Sequence, residues 1–193
     1  MTEEPSSTLK PDKNEAPWAN RTIALVGLMG AGKSTVGRRL AEALGRPFYD
    51  SDEEIEKAAG LSVADIFTIH GEAEFRRGEH RVLQRLLEGP PHVLATGGGA
   101  YLNDATRALM REHAVTVWLN ADLETLWRRV SKRAHRPLLR KANPKGVLSD
   151  LFEARKPIYE MADLTVPSGD GPHSRTVRAI IKALETWSPE TDA

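Results

Sequence analysis

Two kinds of residue pattern in this sequence could do chemistry on phosphate esters. The first is Gly27-Leu28-Met29-Gly30-Ala31-Gly32-Lys33-Ser34-Thr35, which satisfies G-x-x-x-x-G-K-[ST] in full. Glycines let backbone N–H groups curl around phosphate oxygens, and a helix opening at the loop adds the positive end of its dipole. In that arrangement the stretch Gly30, Ala31, Gly32, Lys33, Ser34 and Thr35 faces the anion. Lys33 reaches the β- and γ-phosphates, and Ser34 offers its hydroxyl to Mg²⁺.

The second is a set of charged and glycine-rich stretches further along. Asp50 and Asp52 flank Ser51; in extended chain, two carboxylates two residues apart point to one side, suiting the water shell of Mg²⁺ and a substrate hydroxyl. A solvated helix N-terminus, where acids are favoured anyway, accounts for Glu53, Glu54 and Glu56. Arg76 and Glu79 are three apart on one helical face and can touch. So held, Arg76 could present its fork to a carboxylate, although spacing alone equally describes an ordinary surface ion pair. Gly97-Gly98-Gly99 gives up chain entropy and so marks either a close backbone approach to a ligand, with N–H groups free to donate, or a hinge. The basic run from Arg128 to Lys141 includes Arg129 and Arg136 and lies beside helix-breaking Pro137 and Pro144. It reads as a solvated face, a nucleic-acid patch, or a segment that closes over a nucleotide and neutralises charge, with Arg136 as the neutralising group.

Elements that could position these groups are readable from periodicity. Thr22–Val26 is a short β-branched run ahead of the first glycine loop, and Val36, Leu40, Ala43 and Leu44 follow at helical spacing until Gly45. Further strands are predicted at 46–50, 93–96, 114–119 and 164–166. Helices are predicted at 55–59, 63–67, 72–87 after a break at His70-Gly71, 104–110, 122–132, 149–161 and 173–187, with Ser62 and Asp65 as a capping box. This βα alternation implies a parallel sheet with helices on both faces and a ligand crevice at the strand carboxyl ends. The phosphate loop, the Asp50/Asp52 pair and the triple glycine all fall there.

The chain has 193 residues and balanced charge, 27 basic against 27 acidic, so no global field favours nucleic acid or an acidic membrane. It lacks cysteine, which removes disulfides and thiolate chemistry and fits a cytoplasmic setting. No apolar run is long enough to span a membrane or serve as a signal-peptide core. Residues 1–20 and 188–193 are expected to be disordered tails, leaving one domain over 21–187 with Trp18 at most anchoring the tail. The histidines show no ligand spacing, and Trp118, Trp127 and Trp187 read as core.

Taken together, these motifs resemble the shikimate kinases, small phosphate-loop kinases related to the nucleoside monophosphate kinases. The likeness rests on Gly27–Thr35 continuing as Val36-Gly37-Arg38, Phe48-Tyr49-Asp50-Ser51-Asp52, Ile66-Phe67 before Gly71-Glu72, Phe75-Arg76 with Glu79, Thr96-Gly97-Gly98-Gly99, Arg136-Pro137-Leu138-Leu139, and Arg155 with Tyr159. It implies a three-layer α/β phosphate-loop kinase fold whose five-stranded parallel sheet has the order 2-3-1-4-5. It also implies ATP-dependent phosphorylation of the shikimate 3-hydroxyl with Mg²⁺. Asp52 would be the proposed base and Asp50 would help organise the metal with Ser34. Arg76 and Arg155, with the backbone of Gly97, Gly98 and Gly99, would hold shikimate, while Arg129 and Arg136 would belong to the ATP side and a lid over about 129–147. The expected partners are small molecules, for a monomer that engages neither nucleic acid nor membrane. The N-terminal extension and the region from Pro167 to His173 depart from the family pattern. Gluconate kinase, or a non-catalytic nucleotide- or RNA-binding module using the Arg128–Lys141 run, are the competing readings.

Overall fold

The computed structural model describes residues 16–132 and 142–189. Five strands, β1 (Thr22–Val26), β2 (Phe48–Asp50), β3 (Val93–Ala95), β4 (Ala114–Asn120) and β5 (Leu164–Pro167), form one parallel sheet in the order β2-β3-β1-β4-β5. This is the expected order. Every residue of β1 is buried, as are the first six of β4. Since neighbouring strand residues point to opposite faces, both faces are covered, which is why these strands read as unbroken apolar runs.

The register decides what the sheet presents. Leu25 of β1 and Asp50 of β2 both lie opposite Ala95 of β3, so the three strands end level. The chain leaving each, at Gly27, Ser51 and Gly97, therefore emerges side by side.

Around the sheet lie α1 (Lys33–Leu44), α2 (Ser51–Ala59), α3 (Val63–Leu87), α4 (Asp104–His113), α5 (Leu123–Ser131), α6 (Pro144–Tyr159), α7 (His173–Glu185) and a 3₁₀ turn at Ala100–Leu102. Gly45 closes α1 in the left-handed region, its N–H reaching back to Ala41 and Glu42 carbonyls. Ser62 caps α3 by accepting the Asp65 N–H at 3.1 Å, as its sequence predicts. At Gly71 (φ 79°, ψ 172°) α3 leaves helical geometry, so the expected interruption is a kink between two helical halves. None of the helices among the described residues is long and apolar enough to cross a membrane.

Three expectations are corrected. Helix α6 begins at Pro144 and not near Ser149: a proline at the first helical position costs no hydrogen bond, and the Asn143 side chain caps the Gly146 N–H at 3.1 Å. The packed domain reaches back before residue 21. Trp18 is buried, with the Arg46 guanidinium 5.1 Å from its ring centre, and Arg46 also donates to the Ala19 and Arg21 carbonyls at 2.5 and 2.8 Å. Finally, Asp50 and Asp52 do not share an extended segment. Asp50 ends β2 and accepts the Asp52 N–H at 3.1 Å as the N-cap of α2, which puts Asp52 in that helix's first turn. Of the expected lid, Arg129–Ser131 belong to α5 and Pro144–Val147 to α6; its central part lies outside the described residues.

Candidate active site

The phosphate loop joins β1 to α1. Gly27, Gly30 and Gly32 have φ of 135°, 86° and 95°, a region that side-chain-bearing residues adopt at a cost. Crowding adds to the constraint, since a Cβ on Gly27 would stand 3.0 Å from the Leu119 carbonyl oxygen and one on Gly30 3.0 Å from Val130. Lys33 folds back along the loop, donating to the Gly27 and Leu28 carbonyls at 2.7 and 3.1 Å. Ser34 Oγ donates to Asp50 Oδ2 at 2.5 Å. A hydroxyl and a carboxylate meeting at a helix N-terminus beside the phosphate loop are hard oxygen donors of the kind Mg²⁺ prefers, so these residues fit the metal. No cluster of three or more His, Cys, Asp or Glu that could hold a metal ion occurs among the described residues. Thr35 is exposed on the first turn of α1. Arg129, from the last turn of α5, reaches the loop, with Nη1 3.2 Å from the Gly30 carbonyl and Nη2 2.5 Å from the Gly169 carbonyl.

The other half of the crevice is built on α2, α3 and the glycine run. Arg76 Nη1 donates to Glu79 Oε2 at 2.6 Å; Glu79 is buried and Arg76 half-buried, so the pair is anchored in the interior through its acid and is more than an ordinary surface contact. The triple glycine has ordinary backbone angles. Its value is the missing side chain. A Cβ on Gly97 would stand 2.8 Å from Asp52 Oδ1 and 2.9 Å from Glu79 Oε1; one on Gly99 would stand 2.5 Å from Arg76 Nη2. The backbone of the run is closely approached by Asp52, Glu79 and Arg76, contacts within the protein that the sequence does not announce. The expectation of freely donating N–H groups holds only in part. Gly97 N–H is taken by Ser51 Oγ at 2.8 Å, whereas the Gly98 and Gly99 N–H groups meet no acceptor among the described residues. Arg155 Nη1 and Tyr159 Oη, both from α6, donate to the Gly98 carbonyl at 3.3 and 2.5 Å.

The two halves touch. The open side of Gly98 faces the Met29 amide nitrogen, 3.5 Å from where a Cβ would sit. Lys33, Asp52, Arg76, Gly97–Gly99 and Arg155 therefore gather beyond the carboxyl ends of neighbouring strands, while Arg136 lies outside the described residues. Asp52 is exposed as a residue, yet its carboxyl is hemmed in: desolvation, then Asp50, raise its pKa above the ordinary value, against the opposing pull of Lys33 and Arg76. Desolvation likewise raises Glu79, more than Arg76 can offset, and Glu79 Oε1 is buried with no hydrogen-bond partner among the described residues. Sequence reasoning left Ser51 and Ser168 without a role. Ser51 had a signal in its place between two acids; Ser168 had none.

A family model described as shikimate kinase matches residues 29–185. A shikimate kinase of Caulobacter vibrioides is 58% identical over 169 residues, covering 88% of this chain and 84% of the relative. Among solved structures, a shikimate kinase from Acinetobacter baumannii in complex with shikimate superposes with a TM-score of 0.81 at 40% identity, covering 86% of this chain and 93% of that one. A gluconokinase from Sinorhizobium meliloti, with TM-score 0.60, 21% identity and coverage of 86% and 91%, shares the fold.

Proposed function

The chain belongs to the shikimate kinase family, and on that premise we propose that it transfers the γ-phosphoryl group of ATP to the 3-hydroxyl of shikimate, giving shikimate 3-phosphate and ADP for aromatic amino-acid biosynthesis. The observation that carries this is the glycine run, which abuts the phosphate loop at Met29 on one side and Asp52, Glu79 and Arg76 on the other. A phosphoryl donor and a small carboxylated alcohol bound to those two faces would be neighbours. Transfer through a loose transition state asks mainly for alignment and charge neutralisation.

In this reading the amides of Gly30–Thr35 cradle the phosphates, and Lys33 exchanges its loop carbonyls for phosphate oxygens. Ser34 and Asp50 hold Mg²⁺, which when bound neutralises charge on the β- and γ-phosphates. Asp52 receives the substrate hydroxyl and orients or deprotonates it; its raised pKa makes it the stronger base. Arg76 and Arg155 bind the substrate carboxylate, and the Gly98 and Gly99 amides lie free to donate to the same ligand. Glu79 fixes the Arg76 fork. A substrate lacking the carboxylate would leave the Arg76 and Arg155 N–H groups not used within the protein covered without an acceptor, which would disfavour it. Arg129 serves the ATP side, and Arg136 neutralises charge from the lid.

The same reading has the enzyme work as a cytoplasmic monomer engaging neither nucleic acid nor membrane. Against an RNA-binding role, Arg128 is paired with Asp170 and Arg129 is turned onto the phosphate loop. A coupled ADP-release assay decides the function: turnover is expected with MgATP and shikimate and only background with gluconate. Folded protein that turns over neither, or gluconate alone, overturns it.

A further inference from the structure

Ser168 stands just beyond β5, only 1% exposed, with its Oγ donating to the Ala31 carbonyl of the phosphate loop at 2.7 Å. Its position is fixed from elsewhere, since its own N–H donates at 2.8 Å to the Asn120 carbonyl at the end of β4. Arg129 Nη1 lies 3.4 Å from both Ser168 Oγ and the Ala31 carbonyl oxygen. With the serine proton committed to Ala31, the serine oxygen accepts from Arg129, so the donors run in one direction, from guanidinium to hydroxyl to carbonyl.

The consequence lies in the peptide plane. None of the peptides among the described residues is cis, and a trans plane carries its C=O and N–H on opposite sides. A donor that holds the Ala31 oxygen outward thereby aims the Gly32 N–H inward. The neighbouring Ala31 N–H is already used in the turn, on the Leu28 carbonyl at 3.1 Å, whereas the Gly32 N–H meets no acceptor among the described residues. Gly32 also has the φ of 95° that leaves this plane without side-chain restraint of its own. A phosphate cradle made of backbone amides works only if those amides converge before the anion arrives.

We propose that Ser168 is a positioning residue for the nucleotide triphosphate, orienting the Ala31–Gly32 peptide so that its N–H points at a phosphate oxygen. The proposal rests on the phosphate loop binding ATP. It assigns Ser168 to the triphosphate even though the serine sits in the loop between β5 and α7.

The test is Ser168→Ala, which removes the hydroxyl and leaves a small side chain. The KM for MgATP and the Kd for MgADP should each rise about five- to tenfold, with the shikimate KM changing less than about twofold. Inorganic tripolyphosphate, which has neither base nor ribose, should lose competitive potency by the same factor as ATP. Ser168→Thr, which keeps the hydroxyl, should restore the wild-type values; should its extra methyl group prevent folding, the alanine variant with tripolyphosphate still decides. An unchanged ATP KM overturns the proposal. So does full potency of tripolyphosphate, which would put the effect on the base side, and so does a parallel rise in both KM values with a lower Tm, which would mark general loosening. Wild-type protein without shikimate-dependent ATP turnover would reject the function instead.

Discussion

The two glycine-rich stretches of this molecule lie against each other and use glycine for different physical reasons. In the phosphate loop, Gly27, Gly30 and Gly32 are needed for backbone angles of 86° to 135° in φ that turn amides inward. In the run after β3, no glycine has positive φ, and the demand is for volume: Gly97 and Gly99 leave room for Asp52, Glu79 and Arg76. One stretch uses glycine to set the course of its own backbone; the other uses it to let charged side chains pack against the backbone. Beside the first stretch stand the cations Lys33 and Arg129, both donating to its carbonyls. The acceptor half packs two carboxylates against a guanidinium and carries the desolvation that lifts both acids.

The sharpest way to break this division is at Asp52, the side chain that the second stretch makes room for. Asp52→Asn keeps size and removes charge. It should lower kcat about 10²- to 10⁴-fold while leaving the KM for MgATP within about twofold, as measured by steady-state ADP release. A loss shared equally between kcat and ATP binding would mean that the two halves do not work separately.

A matched pair of glycine substitutions sharpens the contrast. Gly32→Ala forces a left-handed conformation costing about 1–2 kcal/mol on a side-chain-bearing residue, so the KM for MgATP should rise about tenfold with the shikimate KM little changed. Gly99→Ala brings no backbone strain but puts a methyl group 2.5 Å from Arg76 Nη2. The guanidinium must move, and the shikimate KM should rise about tenfold with ATP binding intact. If either variant produced the other's pattern, the assignment of strain to one stretch and volume to the other would be wrong.

What the sequence made legible follows the same line. Periodicity carried the strands, the Gly45 stop and the Gly71 break because these are local preferences that tertiary packing did not override. The phosphate loop was legible because its pattern states its own backbone geometry. The triple glycine announced a close approach but not its partner, for Arg76 lies more than twenty positions away in sequence and meets it only through the fold. Pro144 misled in the opposite direction, reading as a breaker when Asn143 makes it a helix start. Ser51 and Ser168 were silent since a lone serine has no periodicity, and each acts through one hydroxyl whose partner tertiary structure alone selects. Trp18 was assigned to a tail because its neighbours are polar, although its ring joins the core beneath Arg46.

The smallest expected effect is on stability, where the catalytic end of the sheet can be set against the opposite end. Asp52 is neutral in both folded and unfolded chain at low pH. As pH rises past its ordinary value of 3.8 the unfolded chain ionises first, so stability falls until the raised folded pKa is passed and stays lower at neutral pH. Asp52→Asn should therefore raise Tm at pH 7 and leave it unchanged at low pH, where the aspartate is neutral in both states. His92, just before β3 at the other end, works in the acid direction. Its Nδ1 lies 2.9 Å from the Pro90 carbonyl, which can only accept, so Nδ1 carries the proton of the neutral ring. Nε2 is buried without a partner among the described residues, and desolvation lowers the pKa from its ordinary 6.5. Below that value the unfolded chain takes up a proton first, and stability falls as pH drops through the folded pKa. His92→Asn should flatten the decline of Tm below pH 6.5 without altering the neutral-pH gain from Asp52→Asn, because residues at opposite ends of the sheet add independently. Thermal melts of both single variants and the double variant across that range check it. A double variant whose neutral-pH Tm gain differs from that of Asp52→Asn would show that the two ends are coupled through the sheet.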